Sequence, residues 1–216
     1  MLLAARTAAW EKAGGPTPTA YGGLRFTAEA DNSSVQLTAV GSAPAVTIIK
    51  SFDGVNWEDY TVGEVIELPS IGKSVYLAAG EGGNNAFGSS SDAYHKFVIN
   101  GLVEASGDIT SLRNFDLAQT TLSSYCYYSM FQGCTGLTSA PELPATKLAS
   151  SCYRSMFSGC TSLSLIKVYL ISWGGGNTTD WLNNVSPTGT FYKPRALPEE
   201  YGANNIPTGW TVVNID

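Results

Sequence analysis

The sequence is short of charge. Only 14% of its 216 residues are Asp, Glu, Lys or Arg, with 12 cations against 18 anions and a single histidine, where a soluble domain ordinarily carries about 25% charged residues. So few cations exclude the basic footprint that neutralises a phosphate backbone, and nucleic acid is not an expected partner. Low charge combined with 44% hydrophobic residues also excludes an intrinsically disordered chain, which needs the reverse balance. Nor is there an uninterrupted apolar run of the roughly 18 residues that cross a bilayer, so no membrane insertion is expected. The start, MLLAARTAAWEKAGG, has too short an apolar run, and no basic residue ahead of it, for a signal peptide. Ser, Thr, Asn and 23 glycines supply the polarity instead. That is a composition of turns and short strands with a neutral hydrogen-bonding surface, as on extracellular or virion proteins.

Residues 2–12 predict a short helix with Leu2, Leu3 and Trp10 partly on one side, stopped by Gly14-Gly15-Pro16-Thr17-Pro18. It reads either as an arm docking on a virion or partner, or as a frayed terminus. The remainder divides into a β-rich unit over 21–108 and a repeat unit over 109–216, with the arm occupying 1–20.

Four cysteines define the repeat. Cys126 and Cys134, then Cys152 and Cys160, stand eight apart, and the pairs are offset by 26. Such spacing suits neither C-x-x-C nor Cys/His zinc ligation, and His95 lies far upstream, so no metal site is expected. Residues 122–138 and 148–164 are identical at eleven of seventeen positions, and the period of 26 falls in the leucine-rich-repeat window of about 20–29 residues. Cys126 and Met130 stand four apart, as do Tyr127 and Phe131, which predicts a short helix with one apolar stripe. Gly133 and Gly159 end it, and Thr-x-Leu opens a strand that runs through Leu163, Leu165, Ile166, Val168 and Leu170 in the second copy. One such coil cannot bury its own apolar face, so the coils must stack and be capped. Ile109, Leu112, Phe115 and Leu117 read as a degenerate first coil. At the other end, residues 189–194 read as a strand, Leu197 to Gly202 as a short helix with Pro198 in its first turn, and residues 206–215 as the last strand. If coils stack at the strand spacing of about 4.8 Å, Cys126 comes near Cys152 and Cys134 near Cys160. A disulfide is then within reach, with free thiols the expected state where no signal peptide is present.

Cys-Tyr-x-Ser-Met-Phe-x-Gly-Cys-Thr-x-Leu, Ala140-Pro-Glu-Leu-Pro-Ala-Thr-x-Leu and the terminal Thr190-Phe-Tyr through Ile206-Pro-x-Gly-Trp resemble BspA-like leucine-rich repeat proteins of gut bacteria and their phages. The resemblance covers roughly residues 109–216. It implies surface adhesion and protein or glycan binding, with no catalytic residues to carry across. The sequence departs from the family's long arrays in holding two clear copies, so the resemblance does not carry over a large concave binding surface.

The first half alternates apolar and polar residues. Residues 24–30 and 35–40 predict a hairpin about Asp31-Asn32-Ser33, and 46–52 with 55–60 a second about Asp53-Gly54. Further strands are expected at 64–68, 74–79 and 95–100. Together they predict a small β-sandwich. The Gly- and Ser-rich stretch from Gly80 to Ser91 is either functional or mobile.

Motifs for chemistry are sparse. Ser51-Phe-Asp-Gly-Val-Asn-Trp57 resembles the Asp-box hairpin of sialidase propellers, where it is chiefly a folding device, and Asp53 is expected to bond its own backbone above Trp57. Gly80-Glu-Gly-Gly-Asn-Asn lacks the third glycine of a dinucleotide loop. No Gly-x-Ser-x-Gly elbow occurs, and His95 reads as an edge or partly exposed strand residue rather than a general base. Asp116, Glu142, Asp180, Glu199 and Glu200 supply carboxylates that no motif pairs. No catalytic residue and no cofactor is therefore assigned. Eleven Tyr and five Trp are the expected working parts. Tyr169, Trp173 and Trp181, bordering Gly174-Gly175-Gly176-Asn177, either contact a ligand or pack the cap.

The expectation is a mainly β protein with short helices: a small sandwich followed by a short capped leucine-rich-repeat solenoid. Its expected role is a non-enzymatic module on a phage virion surface, such as a head or tail fibre or decoration protein, touching the host surface or other virion proteins. A bacterial cell-surface adhesin binding host protein or glycan is the alternative, and a carbohydrate-active enzyme a third reading. β-rich fibre modules often trimerise, and a homotrimer would form through the arm.

Overall fold

A computed structural model describes residues 22–117 and 121–215. The protein is mainly β. Its strands are β1 (Arg25–Ala28), β2 (Ser33–Val40), β3 (Ile48–Ser51), β4 (Glu58–Tyr60), β5 (Val65–Leu68), β6 (Ser74–Ala79), β7 (Gly88–Ser90), β8 (Ala93–Asn100), β9 (Val103–Ser106), β10 (Leu137–Ser139), β11 (Leu165–Lys167), β12 (Thr190–Pro194) and β13 (Thr211–Ile215), with a 3-10 turn at Ile109–Leu112. They form a nine-stranded sheet in the order β13-β12-β11-β10-β9-β1-β6-β3-β4 and a four-stranded sheet in the order β5-β2-β8-β7.

The strands expected in the first half form, but the hairpin between 24–30 and 35–40 does not. β1 lies between β6 and β9 in the large sheet, whereas β2 pairs with β5 and β8 in the small one. Asn32, at φ 56, turns the chain from one sheet to the other. β8 offers β2 seven paired positions, from Ser34↔Asn100 to Val40↔Tyr94, which a four-residue β1 cannot match. The apolar faces of β1 and β8 then meet across the core, with the Phe26 and Phe97 rings 4.9 Å apart. The second hairpin forms as β3 with β4, in the register Ile48↔Tyr60 and Lys50↔Glu58. Its connection is the longer loop 52–57 rather than a two-residue turn. The Gly80–Ser91 stretch is built into the fold. Buried Asn84 accepts from the Thr47 N–H (2.8 Å) and donates to the carbonyls of Thr47 (2.9 Å) and Leu112 (2.7 Å), while Phe87 is fully buried.

β9 carries the large sheet into the second half. It is antiparallel to β1 on one side and parallel to β10 on the other, and β10 to β13 continue in parallel. The boundary expected at 108/109 therefore falls inside a continuous sheet, and one buried core spans both sides of it.

The helices expected in each coil are absent. Residues 125–133 form a ribbon of turns in which the N–H groups of Tyr128, Met130 and Gln132 reach back three residues to the carbonyls of Tyr125, Tyr127 and Ser129. The intervening N–H groups of Tyr125, Tyr127, Ser129, Phe131 and Gly133 donate to Ser150, Cys152, Arg154, Met156 and Ser158 of the next coil, at 2.8–3.1 Å. Every fourth residue, Tyr125, Ser129 and Gly133, is left-handed, with φ of 56, 51 and 78°. An α-helix admits no such residue. The stripe survives because the pattern repeats every four residues: Cys126, Tyr127, Met130, Phe131 and Cys134 all point inward. Helical bonds would satisfy the coil alone, whereas the ribbon satisfies its backbone and joins its neighbour, each added bond contributing about 1 kcal/mol.

The ribbon repeats at Ser151, Ser155 and Gly159, and a third time at Gly176, Asp180 and Asn184. This third ribbon receives the N–H groups of Tyr153, Ser155, Phe157 and Gly159. The short helix expected at 197–202 is absent too. Residues 200–206 close on themselves through Gly202 to Ile206 (2.8 Å) and Ile206 to Glu200 (3.0 Å), and Ala203 accepts from the Leu182 N–H.

The small sheet leads directly into the ribbons: the N–H groups of Phe87, just ahead of β7, and of Phe97 in β8 donate to the carbonyls of Cys126 (3.0 Å) and Met130 (2.7 Å). Two aromatic files run along this axis. Phe97, Phe131 and Phe157 stack at 5.0 and 5.2 Å. Phe87, Tyr127, Tyr153 and Trp181 follow one another at 6.2 Å spacings. Both files end on Trp181.

Candidate functional site

The residues expected to contact a ligand separate by burial. Trp181 is fully buried, stacked on Tyr153, with its Nε1–H donating to the Asn205 carbonyl at 2.9 Å. It occupies the inward position that Met130 and Met156 hold in the earlier ribbons, and is core, not contact surface. Trp173 is half-buried, 6.2 Å from Trp181 and 6.3 Å from Phe191, and its Nε1–H donates to the Pro198 carbonyl at 2.9 Å. It props the 194–201 segment against the last coil. Tyr169 is half-buried at the surface, with the Lys167 ammonium 5.3 Å from its ring and Lys167 bonded to Glu142 at 2.7 Å. The structure thus joins Trp173 to Trp181 as packing. Leu2, Leu3 and Trp10 lie outside the described residues.

A different aromatic surface forms where the two halves join. Tyr94, at the start of β8, meets Tyr128 edge to face at 5.1 Å, and Tyr128 meets Tyr125 at 5.6 Å. All three are half-buried. The ribbon's four-residue period turns Tyr125 and Tyr128 outward while Cys126 and Tyr127 point in. Gly88 lies beneath them: a Cβ there would stand 2.7 Å from the Tyr125 carbonyl oxygen and 3.1 Å from the Tyr94 Cβ. Partial burial and the neighbouring Tyr128 and Asp92 push the Tyr94 hydroxyl above its ordinary pKa, so the phenol is a neutral donor at neutral pH. Three amphipathic rings fixed on rigid backbone present apolar faces and hydroxyls at little entropic cost, the usual chemistry of protein and sugar contacts. A signal for this surface was present in the sequence: the second copy has Ser151 and Arg154 where the first has Tyr125 and Tyr128. The tyrosines are departures from the repeat.

The other candidates are engaged structurally. The Asp53 carboxylate accepts from the backbone of Asn56 (2.7 Å) and Val55 (2.8 Å), the Asn56 amide (2.7 Å) and the Ser51 hydroxyl (2.9 Å). These donors, Asn56 foremost, hold its pKa well below the usual carboxylate range. Trp57 packs on Phe115 at 5.1 Å. His95 is buried rather than at an edge, with β2 on one side and β7 on the other side of β8. Its Nδ1 lies 3.1 Å from the Phe87 carbonyl oxygen, and burial pulls its pKa down. Asp108 accepts from the N–H and hydroxyl of Thr110, both at 2.7 Å, and so caps the 3-10 turn. All four cysteines are buried and free, and burial pushes the Cys134 thiol up to about 12.

Among the described residues no cluster of three His, Cys, Asp or Glu is placed to hold a metal ion, and no helix is long and apolar enough to cross a membrane. No family model, curated protein or solved structure matches the chain.

Proposed function

We propose that the chain is a non-enzymatic binding module of a phage virion surface, a head or tail fibre or decoration protein. In this reading it is a small β-sandwich merged with a short, capped leucine-rich-repeat solenoid of the BspA-like type. The observation that carries it is the Tyr94–Tyr125–Tyr128 surface, seated where β8 of the small sheet bonds to the first ribbon and two aromatic files cross between the halves. Rigid mounting spares a contact surface the ordering cost of binding, and tyrosine supplies affinity without charge in a charge-poor chain. The partner is protein or glycan on a host surface, or another virion protein. Mass spectrometry of gradient-purified virions tests the reading: the protein is expected among the virion components, and its absence from them refutes the assignment.

A bacterial cell-surface adhesin is the second reading, favoured by the Cys-Tyr-x-Ser-Met-Phe repeat itself. Fractionation of the producing cell separates the two, since an adhesin is recovered with the envelope and is accessible to protease on intact cells.

A further inference from the structure

The four thiols are not equivalent. The ribbon register sets Cys126 directly opposite Cys152, since the Tyr125 and Tyr127 N–H groups donate to Ser150 and Cys152. It sets Cys134 opposite Cys160 in the same way. Cys134 and Cys160, however, each spend their thiol on a backbone carbonyl of the preceding layer: Cys134 Sγ donates to Phe97 at 3.2 Å and Cys160 Sγ to Phe131 at 3.0 Å. Both point the same way along the axis, so Cys134 is turned away from Cys160. The Cys126 and Cys152 side chains instead meet each other across the register, while Cys126 also lies against Ser123 and the Phe87 backbone and Cys152 against the Tyr127 backbone. Directly opposed residues on neighbouring strands lie about 4.8 Å apart, within the Cα separation that a disulfide spans.

We propose that Cys126 and Cys152 are an oxidative cross-linking site that ties the first ribbon to the second, and that Cys134 and Cys160 remain thiols. The chemistry is thiol–disulfide exchange with a small-molecule disulfide as the oxidant. One cysteine thiolate attacks a sulfur of the oxidant, forming a mixed disulfide and releasing one thiol. Its neighbour's thiolate then attacks the protein sulfur, closing the Cys126–Cys152 bond and releasing the second thiol. Two protein thiols are oxidised and one disulfide is reduced to two thiols. Because both sulfurs are fully buried in the folded chain, exchange occurs as the ribbons dock during folding, while the thiols are still reachable. The register then selects this pair from among the alternatives.

The test uses the full chain, unfolded with reductant and refolded in a mixture of oxidised and reduced glutathione. Free thiols are trapped by alkylation under denaturing conditions and counted, and the linkages are read by non-reducing peptide mapping. The expected result is two alkylated thiols, at Cys134 and Cys160, and one linked pair of peptides containing Cys126 and Cys152. A double Cys134→Ala, Cys160→Ala variant is expected to keep that link. Four free thiols after refolding would overturn the proposal, as would a dominant Cys134–Cys160 link. Both outcomes are read on the unmodified chain, so they do not depend on any variant folding.

Discussion

Replacing Trp181 by alanine separates a core role from a ligand-contact role. The side chain is fully buried, with Tyr153, Phe191, Trp173 and Phe157 around it at ring separations of 6.1–6.5 Å. Truncating a buried tryptophan costs about 3–5 kcal/mol through lost transfer energy and the cavity left behind. The Asn205 carbonyl also loses its 2.9 Å donor, adding about 1 kcal/mol or more where water cannot replace it. A total near 4–6 kcal/mol is a large fraction of the stability of an ordinary domain, about 5–15 kcal/mol. Trp181→Phe keeps most of the ring and loses the hydrogen bond, and is expected to cost about 1–2 kcal/mol. Equilibrium urea unfolding of the three proteins measures both differences. A loss below about 1 kcal/mol for the alanine variant would refute the placement of Trp181 at the junction of the two files.

Gly88→Val puts side-chain atoms against the Tyr125 carbonyl and Tyr94 and is expected to destabilise by about 1–3 kcal/mol; urea unfolding checks the cost, and loss of tyrosine near-ultraviolet dichroism checks the place. His95 has a folded-state pKa below its unfolded value because it is buried, so protonation favours the unfolded chain. Stability is then full above about pH 6.5 and declines as the pH falls below it, and His95→Gln is expected to flatten that part of the pH–stability curve.

Much of the repeat was legible because its inward residues are nearly identical in two copies. Cys126, Tyr127, Met130 and Phe131 do form one stripe. Their conformation was not legible, since residues four apart share a face in a ribbon of period four almost as they do in a helix of period 3.6. What decides is the left-handed backbone at Ser129 and Ser155, which serine does not advertise. The third ribbon was hidden for a related reason: residues 176–184 keep left-handed turns at Gly176, Asp180 and Asn184 while replacing nearly every repeat side chain. In the first half, alternation located β1 and β2 but not their partners, because pairing depends on β8, some sixty residues further along the chain. The Tyr94–Tyr125–Tyr128 surface joins residues from both halves, and no local pattern connects them.

These halves are one body, with β9 pairing to β1 on one side and β10 on the other. Scanning calorimetry of the full chain, with residue-resolved hydrogen exchange at the Val103 amide that donates to Gly136 (2.9 Å), tests it directly. A single cooperative transition is predicted, with the Val103 amide exchanging only through global unfolding. Two separate transitions, with the Val103 amide opening in the weaker of them, would contradict it.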